Sequence, residues 1–188
     1  RDLVRSRGLG DVYKRQDRDR AQESEVRRML IEVKVKNLAF DLAKSGAMVF
    51  LEEMNGTRVL PIWIGIFEAN AIALELRKIS TARPMTHDLL FNVIKGLGAE
   101  TTKIVVTDLK DNTFYAVIHI NTKKGAVEID SRPSDAIALA LRVGSPIYVA
   151  EEVIRKAGHT GDAESEEKPD NFTEWLEKLG PDDFKYKM

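Results

Sequence analysis

Residues 30–36 alternate apolar with charged side chains, the period of a half-buried strand, and residues 37–43 read as a second strand. Residues 48–51 and 59–64 then flank Asn55-Gly56, a pair whose tolerance of positive φ predicts a tight type I′ hairpin. Pro61 cannot donate to a ladder, which places its strand at an edge or a bulge. From about residue 67 to 78 the period becomes helical, with Ala69, Ile72, Ala73 and Leu76 on one face. A second helix should start near Thr86, capped by its hydroxyl, bury Leu89, Leu90, Val93, Ile94 and Leu97, and end at Gly96 and Gly98. Residues 103–109 and 113–120 form another predicted hairpin about Asp111-Asn112, with Phe114, Ala116, Ile118 and Ile120 sharing a face. Residues 126–130 add a strand. Residues 134–143 read as a helix apolar nearly all round, stopped by Gly144-Ser145-Pro146, before a short strand at 147–150.

A seven-residue run occurs twice in this pattern, Ala71-Ile72-Ala73-Leu74-Glu75-Leu76-Arg77 and Ala136-Ile137-Ala138-Leu139-Ala140-Leu141-Arg142. Each copy follows a strand-like stretch and an acid, Glu68 or Asp135. The expected fold is therefore α+β: a mixed, largely antiparallel sheet with hairpins, packed against about three helices, with a strand-helix pseudo-repeat.

Composition narrows the chemistry. At 188 residues, 43% hydrophobic and 31% charged, the chain can bury one core. Its net charge of −1 supplies no global attraction for nucleic acid, so such binding would need a local patch or a bound cation. The absence of cysteine excludes disulfides, thiolate metal sites and cysteine nucleophiles. With no membrane-length apolar run and no signal-peptide core, a cytoplasmic protein with no membrane contact is expected. Residues 1–28 are dominated by charge without apolar periodicity and are expected to be disordered or non-native. Residues 1–16 resemble a translated junction or adapter, and Met29 is a candidate native start. The folded domain is expected over 29–158, followed by an acidic linker at 159–170. A short amphipathic C-terminal helix and tail should occupy 171–188, with Phe172, Trp175, Leu176 and Leu179 on one side.

Three stretches in order carry a family resemblance: Leu60-Pro61-Ile62-Trp63-Ile64-Gly65 running into Glu68-Ala69, then Arg83-Pro84-Met85-Thr86-His87-Asp88-Leu89-Leu90, then Asp130-Ser131-Arg132-Pro133-Ser134-Asp135-Ala136. From about residue 30 to 152 the chain resembles a bacterial member of the bifunctional nuclease family. The resemblance implies a mixed α+β fold and activity on both RNA and DNA.

Residue roles come from the chemistry of phosphodiester hydrolysis, which needs an activated water, stabilisation of phosphate charge and protonation of the leaving oxygen. His87, Asp88 and Asp135 are the candidate catalytic groups; Arg83, Arg132 and Ser134 are candidates for binding substrate. Glu68, Asp130 and Asp135 could hold Mg²⁺ or Mn²⁺. His119 and His159 lie outside the motifs. Each residue also has a structural reading: Asp88 and Asp135 lie where a carboxylate meets a helix dipole, Thr86 and Ser134 can cap, and Arg83 and Arg132 can pair with the acids. Trp63 and Phe67 are expected in the core rather than as base-stacking platforms. No phosphate-cradling glycine loop, HExxH or dinucleotide fingerprint is present. The alternative to a nuclease is a non-enzymatic module, binding a nucleotide, small anion or protein at the arginine-rich turns. A homo-oligomer, dimer or trimer, fits either.

Overall fold

The structure, a computed structural model, describes residues 30–41 and 46–160. The expected N-terminal extension, most of the linker and the C-terminal helix lie outside these residues. Seven strands, β1 (Leu30–Asp41), β2 (Gly46–Glu53), β3 (Val59–Gly65), β4 (Glu100–Lys110), β5 (Thr113–Thr122), β6 (Gly125–Ser131) and β7 (Ile147–Ala150), form one sheet in the order β3-β2-β1-β7-β4-β5-β6. Only the β4–β7 pairing is parallel. Four helices complete the described chain: α1 (Ile66–Leu76), α2 (Thr86–Gly96), α3 (Pro133–Val143) and α4 (Glu151–Thr160). Among the described residues no helix is long and apolar enough to cross a membrane.

The pseudo-repeat is visible in this order. Each of two antiparallel meanders, β1-β2-β3 and β4-β5-β6, runs directly into a helix carrying one copy of the repeated run, and β7 joins the two halves. Strand alternation sends Val49 and Leu51 of β2, Ile62 of β3, Ile104 and Val106 of β4, Ile118 of β5 and Val149 of β7 to one face. There they meet Ile72 and Ala73 of α1 and the fully buried Ile137, Ala138 and Leu139 of α3. The small residues of the repeat let α1 and α3 lie side by side on this face.

Several expectations are corrected. Residues 30–41 form one long strand, not two, with a register shift between Val35 and Asn37. The β2–β3 hairpin exists, yet neither Asn55 nor Gly56 has a positive φ. The Met54 N–H donates to the Glu32 carbonyl at 3.0 Å, continuing the β1–β2 pairing, and the connection closes over a longer loop through the Glu53 N–H, which donates to the Arg58 carbonyl at 3.2 Å. The left-handed pair falls instead at Asp111 (φ 48) and Asn112 (φ 57), between β4 and β5. Pro61 does lie on an edge strand, opposite Phe50. On α1, Ala69, Ile72 and Ala73 are buried but Leu76 is exposed. Trp63 and Phe67 are also exposed, Phe67 at 83%, because both stand at the sheet edge and the start of α1 rather than inside.

The predicted stripe of α2 is largely uncovered: Leu89, Leu90, Val93 and Leu97 are exposed, and only His87 and Ile94 are buried. Polar anchors set its rotation. His87 reaches Asp135 and Asp88 reaches Arg142, both on α3, so Leu89 and Val93, turned onward by about 100° per residue, face away. Nor does Thr86 cap the helix: Met85 is the N-cap residue, and its N–H donates to Asp88 Oδ2 at 2.7 Å. Helix α4, which the sequence reading missed, buries Val153 and Ile154 and is tied to the β2–β3 connection by Arg58 Nη1 to Glu151 Oε1 at 2.7 Å.

Gly144 ends α3 in the left-handed region, φ 70 and ψ 25, with the Ser145 N–H bonded to the Ala140 carbonyl. A Cβ there would meet no atom within 4 Å, so the cost of Gly144→Ala is purely conformational. We expect a loss of about 1 kcal/mol in urea unfolding, without loss of fold.

Candidate active site at the helix starts

The sheet delivers α1 and α3 in equivalent positions, so their first-turn acids, Glu68 and Asp135, meet through a shared cation. Arg132 extends from the β6–α3 junction and forks onto Asp135, Nε to Oδ2 at 2.7 Å and Nη2 to Oδ1 at 3.2 Å. Its Nη1 lies 2.9 Å from Glu68 Oε1. From the first turn of α2, His87 brings Nε2 to 3.2 Å from Asp135 Oδ1. The side chain is 11% exposed, and its orientation leaves Nδ1 as the nitrogen not directed at the carboxylate. Burial raises the Asp135 carboxyl, but hydrogen bonds from Arg132 and His87 outweigh it and hold the group below the ordinary aspartate range. Asp135 is therefore an anion at neutral pH, suited to orient an imidazole and to stabilise its protonated form.

The other sequence candidates fall around this cluster. Asp88 is committed elsewhere: Oδ2 accepts from the Met85 N–H and Oδ1 from Arg142 Nε at 2.5 Å. Burial raises its carboxyl too, and Arg142 followed by the Met85 N–H lowers it by more. Ser134 is buried in the first turn of α3. Arg83 lines a cavity between the end of α1, the α1–α2 connection and α3. Asp130 stands exposed on β6 opposite Val117, and alternation turns it to the sheet face away from Ile118 and the helices. The three proposed metal-binding carboxylates therefore do not converge: Glu68 and Asp135 share Arg132, while Asp130 faces away. Among the described residues no group of three or more histidines and acids is placed to hold a metal ion. His119 lies on β5 beside Glu128, apart from the cluster.

Sequence reasoning missed Arg142. Its side chain, only 5% exposed, bonds Asp88 of α2, the Ala138 carbonyl of its own helix (2.9 Å) and the Ala71 carbonyl of α1 (3.2 Å). The signal was its place at the end of the repeated run, but the repeat alone does not distinguish it from Arg77.

The helix starts of this two-halved α+β sheet thus gather an acid–arginine–acid–histidine cluster, side chains able to exchange a proton and to meet an anion. A family model described as the bifunctional nuclease domain matches residues 49–162, and the chain belongs to that family. An uncharacterized protein of Mycobacterium tuberculosis (strain H37Rv) is 40% identical over 163 residues, spanning 82% of this chain and 98% of that protein. Bifunctional nuclease 1 of Oryza sativa subsp. japonica is 24% identical over 121 residues, 63% of this chain and 37% of its own length. Bifunctional nuclease 2 of Arabidopsis thaliana is 26% identical over 110 residues, 57% of this chain and 33% of its own length.

Proposed function

We propose that the protein hydrolyses phosphodiester bonds in RNA and DNA at the Glu68–Arg132–Asp135–His87 cluster. One observation carries the reading. A buried histidine is held by an ionised aspartate beside an arginine that is 65% exposed in its side chain, at the junction of three helix starts. In this mechanism His87 takes a proton from the attacking water at Nδ1 and returns it to the leaving oxygen, while Asp135 fixes the ring through Nε2. Arg132 meets the phosphate with its outward edge and offsets the charge that develops on it. The exposed rings of Trp63 and Phe67, close in sequence to Glu68, are suited to stack unpaired bases. Membership of the nuclease family and the plant relatives' names support the same reading. A Mg²⁺ or Mn²⁺ ion held by Glu68 and Asp135 would share these carboxylates with Arg132, and no step above requires one.

The test is cleavage of labelled single-stranded RNA and DNA by wild type and by a folded His87→Ala, Asp135→Asn double mutant, each with Mg²⁺, Mn²⁺ or EDTA. We expect wild type to cut and the double mutant to cut at least about 10²-fold more slowly; equal cutting by both rejects the cluster. EDTA decides separately whether a divalent cation takes part. If neither protein cuts under any condition, the binding-module reading replaces the enzyme.

A further inference from the structure

We propose that the cavity between α1, the α1–α2 connection and Arg142 binds one phosphate-bearing nucleotide unit, either free or at the end of a single strand. The cavity encloses about 420 Å³, near the lower end of the roughly 300–1,000 Å³ typical of ligand pockets. That is room for one nucleotide, and an inorganic anion would leave most of it empty.

The cations of the lining are not equivalent. Lys78 is paired with Glu75 at 2.7 Å, and Arg142 is spent on Asp88 and two carbonyls. Arg83 is exposed, and among the described residues its guanidinium has no partner, although it borders a cavity already holding Asp88 and Glu75. A fork of free N–H donors at the mouth of a cavity is suited to a phosphate. The lining also carries the apolar side chains of Leu74, Ile79, Pro84 and Met85 beside the polar Ser80 and Thr81, and Ile79 is 46% exposed. These four side chains suit the face of a base, whereas a sugar phosphate would leave them uncovered.

The pocket is also shaped before any ligand arrives. Lys78 turns the chain at φ 54, the Ile79 N–H bonds the Leu74 carbonyl at 2.9 Å, and the Thr81 hydroxyl donates to the Arg83 carbonyl at 2.7 Å. A ligand therefore pays little ordering cost.

Titration calorimetry on the full chain, with AMP, UMP and inorganic phosphate, tests the assignment. A trinucleotide carrying a 5′-phosphate and non-hydrolysable phosphorothioate linkages is titrated into the Asp135→Asn variant, so that cleavage does not intervene. We expect AMP or UMP to bind with a Kd below about 1 mM, and about tenfold more weakly in Arg83→Ala. That variant should melt with wild type, since the Arg83 side chain holds nothing in place and alanine keeps the carbonyl that Thr81 bonds. Binding of the trinucleotide alone, with the same Arg83 dependence, assigns the pocket to a strand end. The proposal is overturned if phosphate binds as tightly as the nucleotides, if nothing binds, or if Arg83→Ala binds unchanged. Because binding is read without turnover, the cavity assignment stands or falls independently of the cleavage reading.

Discussion

Arg142→Ala should destabilise the protein by about 3 kcal/mol, the cost of leaving buried polar partners unsatisfied and the lower end of that for breaking a buried ion pair. Alanine is the best helix former, so α3 itself is not penalised. The loss falls on what the guanidinium joined: the Asp88 carboxylate of α2, the Ala71 carbonyl of α1 and the Ala138 carbonyl of α3. Arg132→Ala is the control. It removes an arginine bonded to two acids, where Arg142 has one, but that side chain is 65% exposed against 5% for Arg142, and exposed pairs are worth about 1 kcal/mol or less. Urea unfolding of the two variants should therefore separate a strut from a surface pair, and equal losses would show that Arg142 ties nothing together. The same variant should change acid sensitivity. Because the folded state holds Asp88 below its unfolded value of about 3.9, its contribution is present above that value and is lost as pH falls through the lower folded one. Without Arg142 the lowering shrinks, so the variant should lose less of its remaining stability between neutral and acid pH than wild type.

The architecture was legible where a periodic pattern met a single core. The period-two runs and the repeated Ala-Ile-Ala-Leu run foretold two strand-to-helix units because one buried face demands the same spacing in both halves. Where polar contacts decide geometry, the pattern misled. The apolar side chains of α2 look like a buried stripe, but His87 and Asp88 fix the helix by reaching α3, and Leu89, Val93 and Leu97 are left outside. Helix α4 escaped notice because Glu151, Glu152, Arg155 and Lys156 surround the few residues it buries. The site was half legible. The motifs named Glu68, His87, Arg132 and Asp135, which do meet, since each opens or precedes a helix at one end of the layer. Asp130 is close to them in sequence, yet one step of strand alternation puts it on the other face of the sheet. Arg142 could not be singled out because its role exists only once three helices are in place.

His87→Ala and Asp135→Asn should each lower turnover by about 10²-fold in the proposed nuclease reaction, and together by little more than either alone. The single losses follow from the roles: alanine removes the proton acceptor, and asparagine removes the negative charge that steadies the protonated ring. The non-additivity follows from the contact, because Asp135 acts through the ring it holds, 3.2 Å from Nε2, and has no ring to hold once His87 is gone. Two independent groups would instead multiply to about 10⁴-fold. Urea unfolding separates loss of chemistry from loss of fold. A single mutant that cuts about 10²-fold more slowly while unfolding close to wild type has lost a catalytic group, whereas one whose rate falls only with its stability has lost a strut. Asp135 also fastens Arg132, so its substitution must be read against Arg132→Ala, which removes that contact and leaves the aspartate beside the ring. A combined loss of about 10²-fold, with the double mutant as the floor, decides that the aspartate serves the histidine, and a loss of about 10⁴-fold decides that it acts alone.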